Sequence, residues 1–120
     1  MLKTALLILT LTAGGDIRVN LTESESPADC EASRDVVSQI LTASGHAPVA
    51  AVCGGTGLRL TPYIHGTPPE AEIHRYRVEL PRAGGFTVTP LAEGKGCIPD
   101  TAADPAIYCA RSGQSVLPGG

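Results

Sequence analysis

The chain is poor in aromatic residues and has no excess of positive charge. Its 120 residues include three Tyr, one Phe and no Trp, and the formal net charge is −3. Proteins that bind single-stranded nucleic acid stack bases on aromatic side chains, and nucleic-acid binding in general needs a basic surface that neutralises phosphates. We therefore expect no nucleic acid among the partners of this protein.

Sequence signatures of structural zinc sites, cofactors and catalysis are also missing. None of the four cysteines (Cys30, Cys53, Cys97 and Cys109) is paired at the short spacing that structural zinc sites use. No motif specifies a cofactor, and no Ser, Thr or Cys has an evident base partner along the chain. Because catalytic groups meet in space rather than in sequence, an enzyme of unknown class stays open as an alternative to a non-enzymatic protein.

Hydrophobic runs long enough to span a bilayer are absent, since a transmembrane helix needs about 20 apolar residues. The longest apolar stretch, residues 5–11, follows Lys3 and precedes the small residues 12–15. This order is typical of a secretory signal peptide, with cleavage after Gly14 or Gly15. We therefore predict a signal peptide over residues 1–15, a single domain over 16–120, and a secreted or periplasmic location. The alternative is a β-strand over 4–12, because signal peptides and buried strands share a composition.

An exported chain with four cysteines is expected to form two disulfides, for which three pairings exist. Ser26 and Pro27 predict the start of a helix over 27–44, and residues 48–53 predict a strand. From Cys30 the helix would climb about 21 Å and the strand would return about 17 Å, so Cys53 would come back to the level of Cys30. We therefore predict the pairs Cys30–Cys53 and Cys97–Cys109, each stabilising the fold by about 2–4 kcal/mol.

The remaining elements predict an α+β fold, with β-α-β followed by antiparallel hairpins. One main helix would pack on one face of a four- to five-stranded sheet in which residues 48–53 form a central strand. Gly- and Pro-rich turns separate the predicted strands, and the last residues, 117–120, would form a loose tail. The other strands are predicted at 17–21, 58–64, 73–80 and 86–91, with a short one that includes residues 107–109.

One candidate site is a metal centre at the turn that joins two predicted strands. His65 and Glu72 flank this turn and His74 follows closely. Imidazole and carboxylate ligands suit zinc or copper. This constellation supports an alternative function, a small periplasmic ligand- or metal-binding protein, although unrelated surface or packed histidines are commoner.

A second candidate is a basic sheet face that would bind a protein partner. Arg75 and Arg77 alternate with apolar residues and should share one face, and Arg59 would join them if its strand pairs in a suitable register. The region 16–35 is acidic by contrast, so the polarity would steer an acidic partner to the sheet. The competing interpretation is a solvated face with cross-strand ion pairs. The leading hypothesis is thus an exported, disulfide-stabilised, non-enzymatic accessory or protein-binding module. It would act through this sheet face or the hairpin loops, or self-associate through the sheet face.

Overall fold

The fold combines an α-helix with a mixed β-sheet, as seen in a computed structural model that describes residues 2–64 and 66–118. Helix α1 is Pro27–Ala43. The side-chain oxygen of Ser26 accepts a hydrogen bond from the backbone N–H of Asp29 at 3.1 Å. This cap, together with a proline in the first turn, starts the helix where the sequence predicts it.

The end of the helix is set by a glycine in the left-handed region. Gly45 has a φ of 84°, and the N–H of His46 donates to the carbonyl of Leu41 at 2.8 Å. This is the Schellman arrangement, in which a left-handed residue lets the chain close the last helical turn. Among the described residues, no helix is both long enough and apolar enough to cross a membrane.

The described residues form a six-stranded sheet in the order β3-β1-β2-β6-β4-β5. Neighbouring strands are antiparallel except β2 and β6, which run parallel. The strands are β1 (Lys3–Leu11), β2 (Ile17–Glu23), β3 (Ala50–Thr56), β4 (His74–Leu80), β5 (Thr87–Pro90) and β6 (Ala106–Ser112).

Strand β1 lies between β2 and β3 and is buried on both faces. Ala5, Leu7 and Leu9 belong to a larger core on one side of the sheet, and Leu6 and Ile8 belong to a smaller core beneath α1. Successive side chains of a strand point to opposite faces, so an uninterrupted apolar run fits a strand that is covered on both.

The N-terminal run is therefore the β-strand that the sequence left open as an alternative. A cleaved signal peptide over 1–15 stays a prediction, and it has a structural consequence: a chain that begins at Asp16 would lack the strand that connects β2 to β3. The prediction of four to five strands is wrong for a related reason, since the sixth strand is β1, which the signal-peptide interpretation removed from the domain.

The sheet curls around the larger core, to which all six strands contribute. Its two edges approach each other where β3 meets the turn that precedes β5. A Cβ atom placed on Gly54 would lie 3.0 Å from the ring of Phe86 and 3.2 Å from the Cα atom of Gly85. Only a residue without a side chain allows this close approach.

The prediction that residues 48–53 form a central strand is wrong, because β3 is an edge strand. Its side chains are nevertheless covered on both faces. Ala50 and Val52 pack on the larger core, whereas Ala51 and Cys53 pack on the core beneath α1. Burial of both faces leaves the number of neighbouring strands undetermined, which is why the sequence pattern was misleading.

The strand predicted at 58–64 is reduced to an isolated bridge between Leu60 and Val116. The N–H of Leu117 donates to the carbonyl of Arg59 at 2.9 Å. The start of the predicted tail is therefore hydrogen-bonded to the segment that follows β3. Gly119 and Gly120, the end of that tail, lie outside the described residues.

The side chain of Gln114 bridges this C-terminal segment to the sheet. Its Oε1 accepts from the N–H of Leu21 at 2.9 Å, and its Nε2 donates to the carbonyls of Leu21 and Thr61 at 2.9 Å and 2.7 Å. The buried amide thus pairs with both backbone groups of Leu21, as a neighbouring strand would. This satisfies polar groups that are costly to bury unpaired.

Both predicted disulfides are present and account for all four cysteines. Cys30, in the first turn of α1, is bonded to Cys53 on β3, with 6.0 Å between the Cα atoms. Cys97, in the loop after β5, is bonded to Cys109 on β6, with a corresponding distance of 5.9 Å. The first bridge joins the helix to the sheet, and the second holds the loop against β6.

Candidate functional site: a cleft beside strand β6

A cleft of about 460 Å³ lies beside β6. This volume falls within the usual range for sites that bind small ligands, about 300–1,000 Å³. Residues from β6, from the start of β2, from the segment that leads into β4 and from the end of β5 surround it. We call it the β6 cleft, and its lining residues are Asp16, Ile17, Glu72, Ile73, Arg75, Leu91, Cys109, Ala110 and Arg111.

The cleft depends on strand pairing between distant parts of the chain. The parallel pairing of β2 with β6 sets Ile17 beside Ala110 and Arg18 beside Arg111. The antiparallel pairing of β4 with β6 then sets Arg75 on the other side of Arg111. Three arginines from three strands therefore occupy neighbouring positions across the sheet.

Glu72 neutralises the first of these arginines. Its side chain is only 2% exposed, and its carboxylate accepts hydrogen bonds from Nε and Nη2 of Arg18, the latter at 2.9 Å. The hydrogen bond to Glu72 is the main reason that the pKa of the Arg18 guanidinium is raised above its ordinary value. This two-pronged pair fixes the segment before β4 against β2.

Arg111 is held by three further acceptors. Its guanidinium donates to the backbone carbonyls of Glu72 at 2.9 Å and Pro69 at 3.1 Å, and to the carboxylate of Asp16 at 3.3 Å. Asp16 therefore forms an ion pair with Arg111 that is more exposed than the pair of Glu72 with Arg18. Both pairs serve to build the wall of the cleft.

Arg75 differs from its two neighbours. Its side chain is exposed, and its Nη1 donates to the backbone carbonyl of Lys95 at 2.9 Å. Within residues 2–64 and 66–118, no carboxylate lies within ion-pair distance of this guanidinium. The β6 cleft thus contains a cation that is oriented by a carbonyl and whose charge no described acidic side chain balances.

Apolar side chains lie in the same cleft as this cation. Ile73 and Leu91 line it, and Ile73 is 68% exposed. Ile17 also borders the cleft but packs against the larger core. The loop that provides Lys95 is attached to β6 by the Cys97–Cys109 disulfide. The cleft therefore combines a positive charge, an apolar wall and a covalently held rim. Such a combination is suited to binding an anionic group that is attached to an apolar body.

The other two arginines of the predicted basic face have carboxylate partners. Arg77 lies two residues along β4 from Arg75 and pairs with Glu79 at 3.1 Å. Arg59 lies outside the named strands and pairs with Glu23 at 3.7 Å. Arg59 and Arg77 thus form ion pairs, although neither pair joins two named strands as the competing interpretation expected, and Arg75 stands apart from them.

The predicted metal site falls only partly within the described residues, because His65 lies outside them. The carboxylate of Glu72 is occupied by Arg18, and His74 is half-buried at the start of β4. Among the described residues, no group of three or more His, Cys, Asp or Glu side chains is placed to hold a metal ion. The metal site at His65, Glu72 and His74 stays a prediction.

Sequence reasoning singled out Arg75, and Glu72 as a metal ligand, but not the ion pairs that surround Arg75. Asp16, Arg18 and Arg111 are close only because β2 pairs with β6, and no local pattern signals that pairing. Comparisons of this chain with protein-family models, curated proteins and solved structures found no match. The function must therefore be argued from the cleft itself.

Proposed function

We propose that this protein is a non-enzymatic, disulfide-stabilised binding module that works in an oxidising compartment, secreted or periplasmic. It binds a protein partner in the β6 cleft and recognises a carboxylate of that partner through Arg75. The observation that carries this proposal is the unbalanced positive charge of Arg75 beside the apolar side chains of Ile73 and Leu91.

The energetics favour an anionic ligand at this position. A guanidinium offers five N–H donors in a planar fork that matches a carboxylate, and Lys95 uses a donor of Nη1 only. Charge-assisted hydrogen bonds of this kind are about twice as strong as neutral ones. An adjacent apolar wall adds affinity through surface burial.

The two disulfides support the oxidising compartment. Such bridges persist in secreted and periplasmic proteins and are rare in the reducing cytosol. The N-terminal apolar run adds no independent support, because this fold uses residues 3–11 as β1.

The test uses two sets of fluorescein-labelled hexapeptides and the oxidised full chain. One set combines Asp or Glu with Leu or Val and ends in a free C-terminal carboxylate, and the other replaces every carboxyl group, including the C-terminal one, by its amide. We expect the acidic set to bind more tightly in fluorescence polarisation, with an affinity that decreases with added salt because the charges are partly exposed. The R75Q variant should lose this preference for acids.

Arg77→Gln is the matched control, because Arg77 lies on the same strand and face but already pairs with Glu79. It should retain acid-dependent binding. If R75Q and R77Q lose affinity for the acidic peptides equally, the preference for acids is caused by general surface charge. Equal binding of acidic and amide peptides by the wild-type chain would refute recognition of a carboxylate.

A further inference from the structure

The composition of the β6 cleft narrows the class of partner beyond an acidic protein. We infer that the recognised group is the free C-terminal carboxylate of a polypeptide that ends in an aliphatic residue. This inference rests on the proposed function, since it specifies the ligand of the same site. It follows from the number of available charges, from the apolar lining and from the size of the cleft.

The charges of the cleft fit one carboxylate better than several. Arg75 is the cation of the cleft that no described carboxylate balances, because Arg111 pairs with Asp16 and the carboxylate of Glu72 pairs with Arg18. Asp16 is itself 57% exposed at the wall of the cleft. A run of acidic residues would bring further negative charge toward Asp16, and like charges at close range repel.

The apolar lining fits an aliphatic side chain next to the carboxylate. Ile73 and Leu91 share the cleft with Arg75, and Ile73 leaves most of its surface exposed in the free protein. The last residue of a polypeptide carries its side chain and its carboxylate on the same Cα atom. It can therefore reach the apolar wall and Arg75 together.

The size of the cleft favours a chain end over an internal acidic residue. About 460 Å³ lies toward the lower end of the usual range for ligand sites, so the cleft suits a short segment of chain. An internal residue would need space for the chain both to enter and to leave the cleft, whereas a chain end needs space for entry only. Capture of terminal carboxylates is an established mode of peptide recognition.

The experiment compares three fluorescein-labelled peptides on the oxidised full chain. The first is Gly-Ser-Gly-Val-Leu with a free C-terminal acid, and the second is the same peptide with a C-terminal amide. The third, Gly-Ser-Gly-Glu-Leu-Gly with a C-terminal amide, presents an internal acid. We expect the free acid to bind at least tenfold more tightly than either of the others. We expect R75Q to abolish this difference and R77Q to preserve it.

Other outcomes separate the two levels of the proposal. If the internal acid binds as tightly as the free acid and both depend on Arg75, terminal recognition is wrong while the proposed function stands. If hexanoate at equal concentration displaces the free-acid peptide as well as the unlabelled peptide does, the site takes small organic acids and the peptide partner is wrong. If no peptide shows Arg75-dependent binding, the proposed function itself fails. Matching melting curves of R75Q and the wild type would show that the variant is folded.

Discussion

At the scale of single residues, the ion pair between Arg18 and Glu72 joins a buried carboxylate to a half-buried guanidinium. Glu72 is 2% exposed and Arg18 is 26% exposed, so the carboxylate depends on this partner rather than on water. Removing one partner of a buried pair leaves the other charge uncompensated, which is more costly than replacing both. The pair therefore positions one wall of the β6 cleft and is sensitive to single substitutions.

We expect R18M to lower the free energy of unfolding by about 3 kcal/mol at pH 7, because the Glu72 carboxylate would stay buried without a cation. The free energy of unfolding should fall less in the double variant R18M/E72L than in R18M alone, since no charge is then left buried. Urea unfolding followed by circular dichroism measures both values. A double variant less stable than R18M would contradict this account of the pair.

Tyr76 provides a second prediction at this scale, on the dependence of stability on pH. It is 1% exposed, and its hydroxyl donates to the carbonyl of Gln114 at 2.6 Å. Burial raises the pKa of this hydroxyl, whereas an unfolded tyrosine ionises near pH 10. As the pH rises, the unfolded state releases its proton first. The stabilisation is therefore complete below about pH 10 and is lost as the pH rises toward the folded-state pKa.

The free energy of unfolding should accordingly fall more steeply above about pH 10 in the wild type than in Y76F. Urea titrations at closely spaced pH values from neutral to alkaline measure this difference. Y76F is expected to be less stable at neutral pH by about 1 kcal/mol, because a buried carbonyl loses its donor. If the free energy of unfolding falls equally steeply with alkaline pH in the two proteins, Tyr76 is not a source of the pH dependence.

At the scale of elements, β3 and the turn before β5 pack closely against each other. Gly54 permits it, since a Cβ atom there would lie 3.0 Å from the Phe86 ring. The neighbouring Gly55 has more room, because its Cβ would meet the side chain of Leu2 at an ordinary 3.5 Å. The two glycines thus form a matched pair for testing how tightly the sheet curls.

We expect G54A to destabilise the protein by about 1–3 kcal/mol, as is usual when an extra methyl is forced into a packed region. G55A should stay within about 0.5 kcal/mol of the wild type. Thermal melts of both variants test this difference. The change F86L in the G54A background should restore part of the loss, because it removes the ring that the methyl group meets. Equal melting temperatures of G54A and G55A would mean that β3 and the turn before β5 are farther apart than in this structure.

At the scale of the whole molecule, β1 joins the two cores. Leu6, Leu7, Ile8 and Leu9 are each at most 8% exposed and alternate between the larger core and the core beneath α1. Burial of these four side chains contributes about 6–12 kcal/mol at the usual values per residue. This is similar to the entire stability of an ordinary domain, about 5–15 kcal/mol.

A chain that begins at Asp16 should therefore fail to fold. Far-UV circular dichroism and urea unfolding of this truncated chain, compared with residues 1–120, test the prediction. The full chain should unfold cooperatively and the truncated chain should show no cooperative transition. Cooperative unfolding of both at the same midpoint would favour a cleaved signal peptide, and an intact mass of the exported protein would then locate the cleavage site.

Elements that depend on neighbouring residues were predictable from the sequence. The cap at Ser26 and the stop at Gly45 act within one helical turn, so the helix prediction of 27–44 agrees with Pro27–Ala43. The pairing of Cys30 with Cys53 followed from the lengths of consecutive elements, and the structure confirms it. Arg75 was also identified, because alternation along a strand requires only that strand.

Features that depend on long-range contacts were not predictable in this way. An apolar run has the same composition whether it is a signal peptide or a doubly covered strand, so only its neighbours β2 and β3 identify β1 as a strand. Burial on both faces suggested a central position for β3, whereas strand order placed it at the edge. The β6 cleft exists because β2 pairs with β6 across more than ninety intervening residues, as in Arg18 beside Arg111. Interactions between nearby residues thus determined the helix, the disulfides and the face of Arg75. Tertiary packing decided which charges around Arg75 are neutralised by carboxylates and that the charge of Arg75 itself is not.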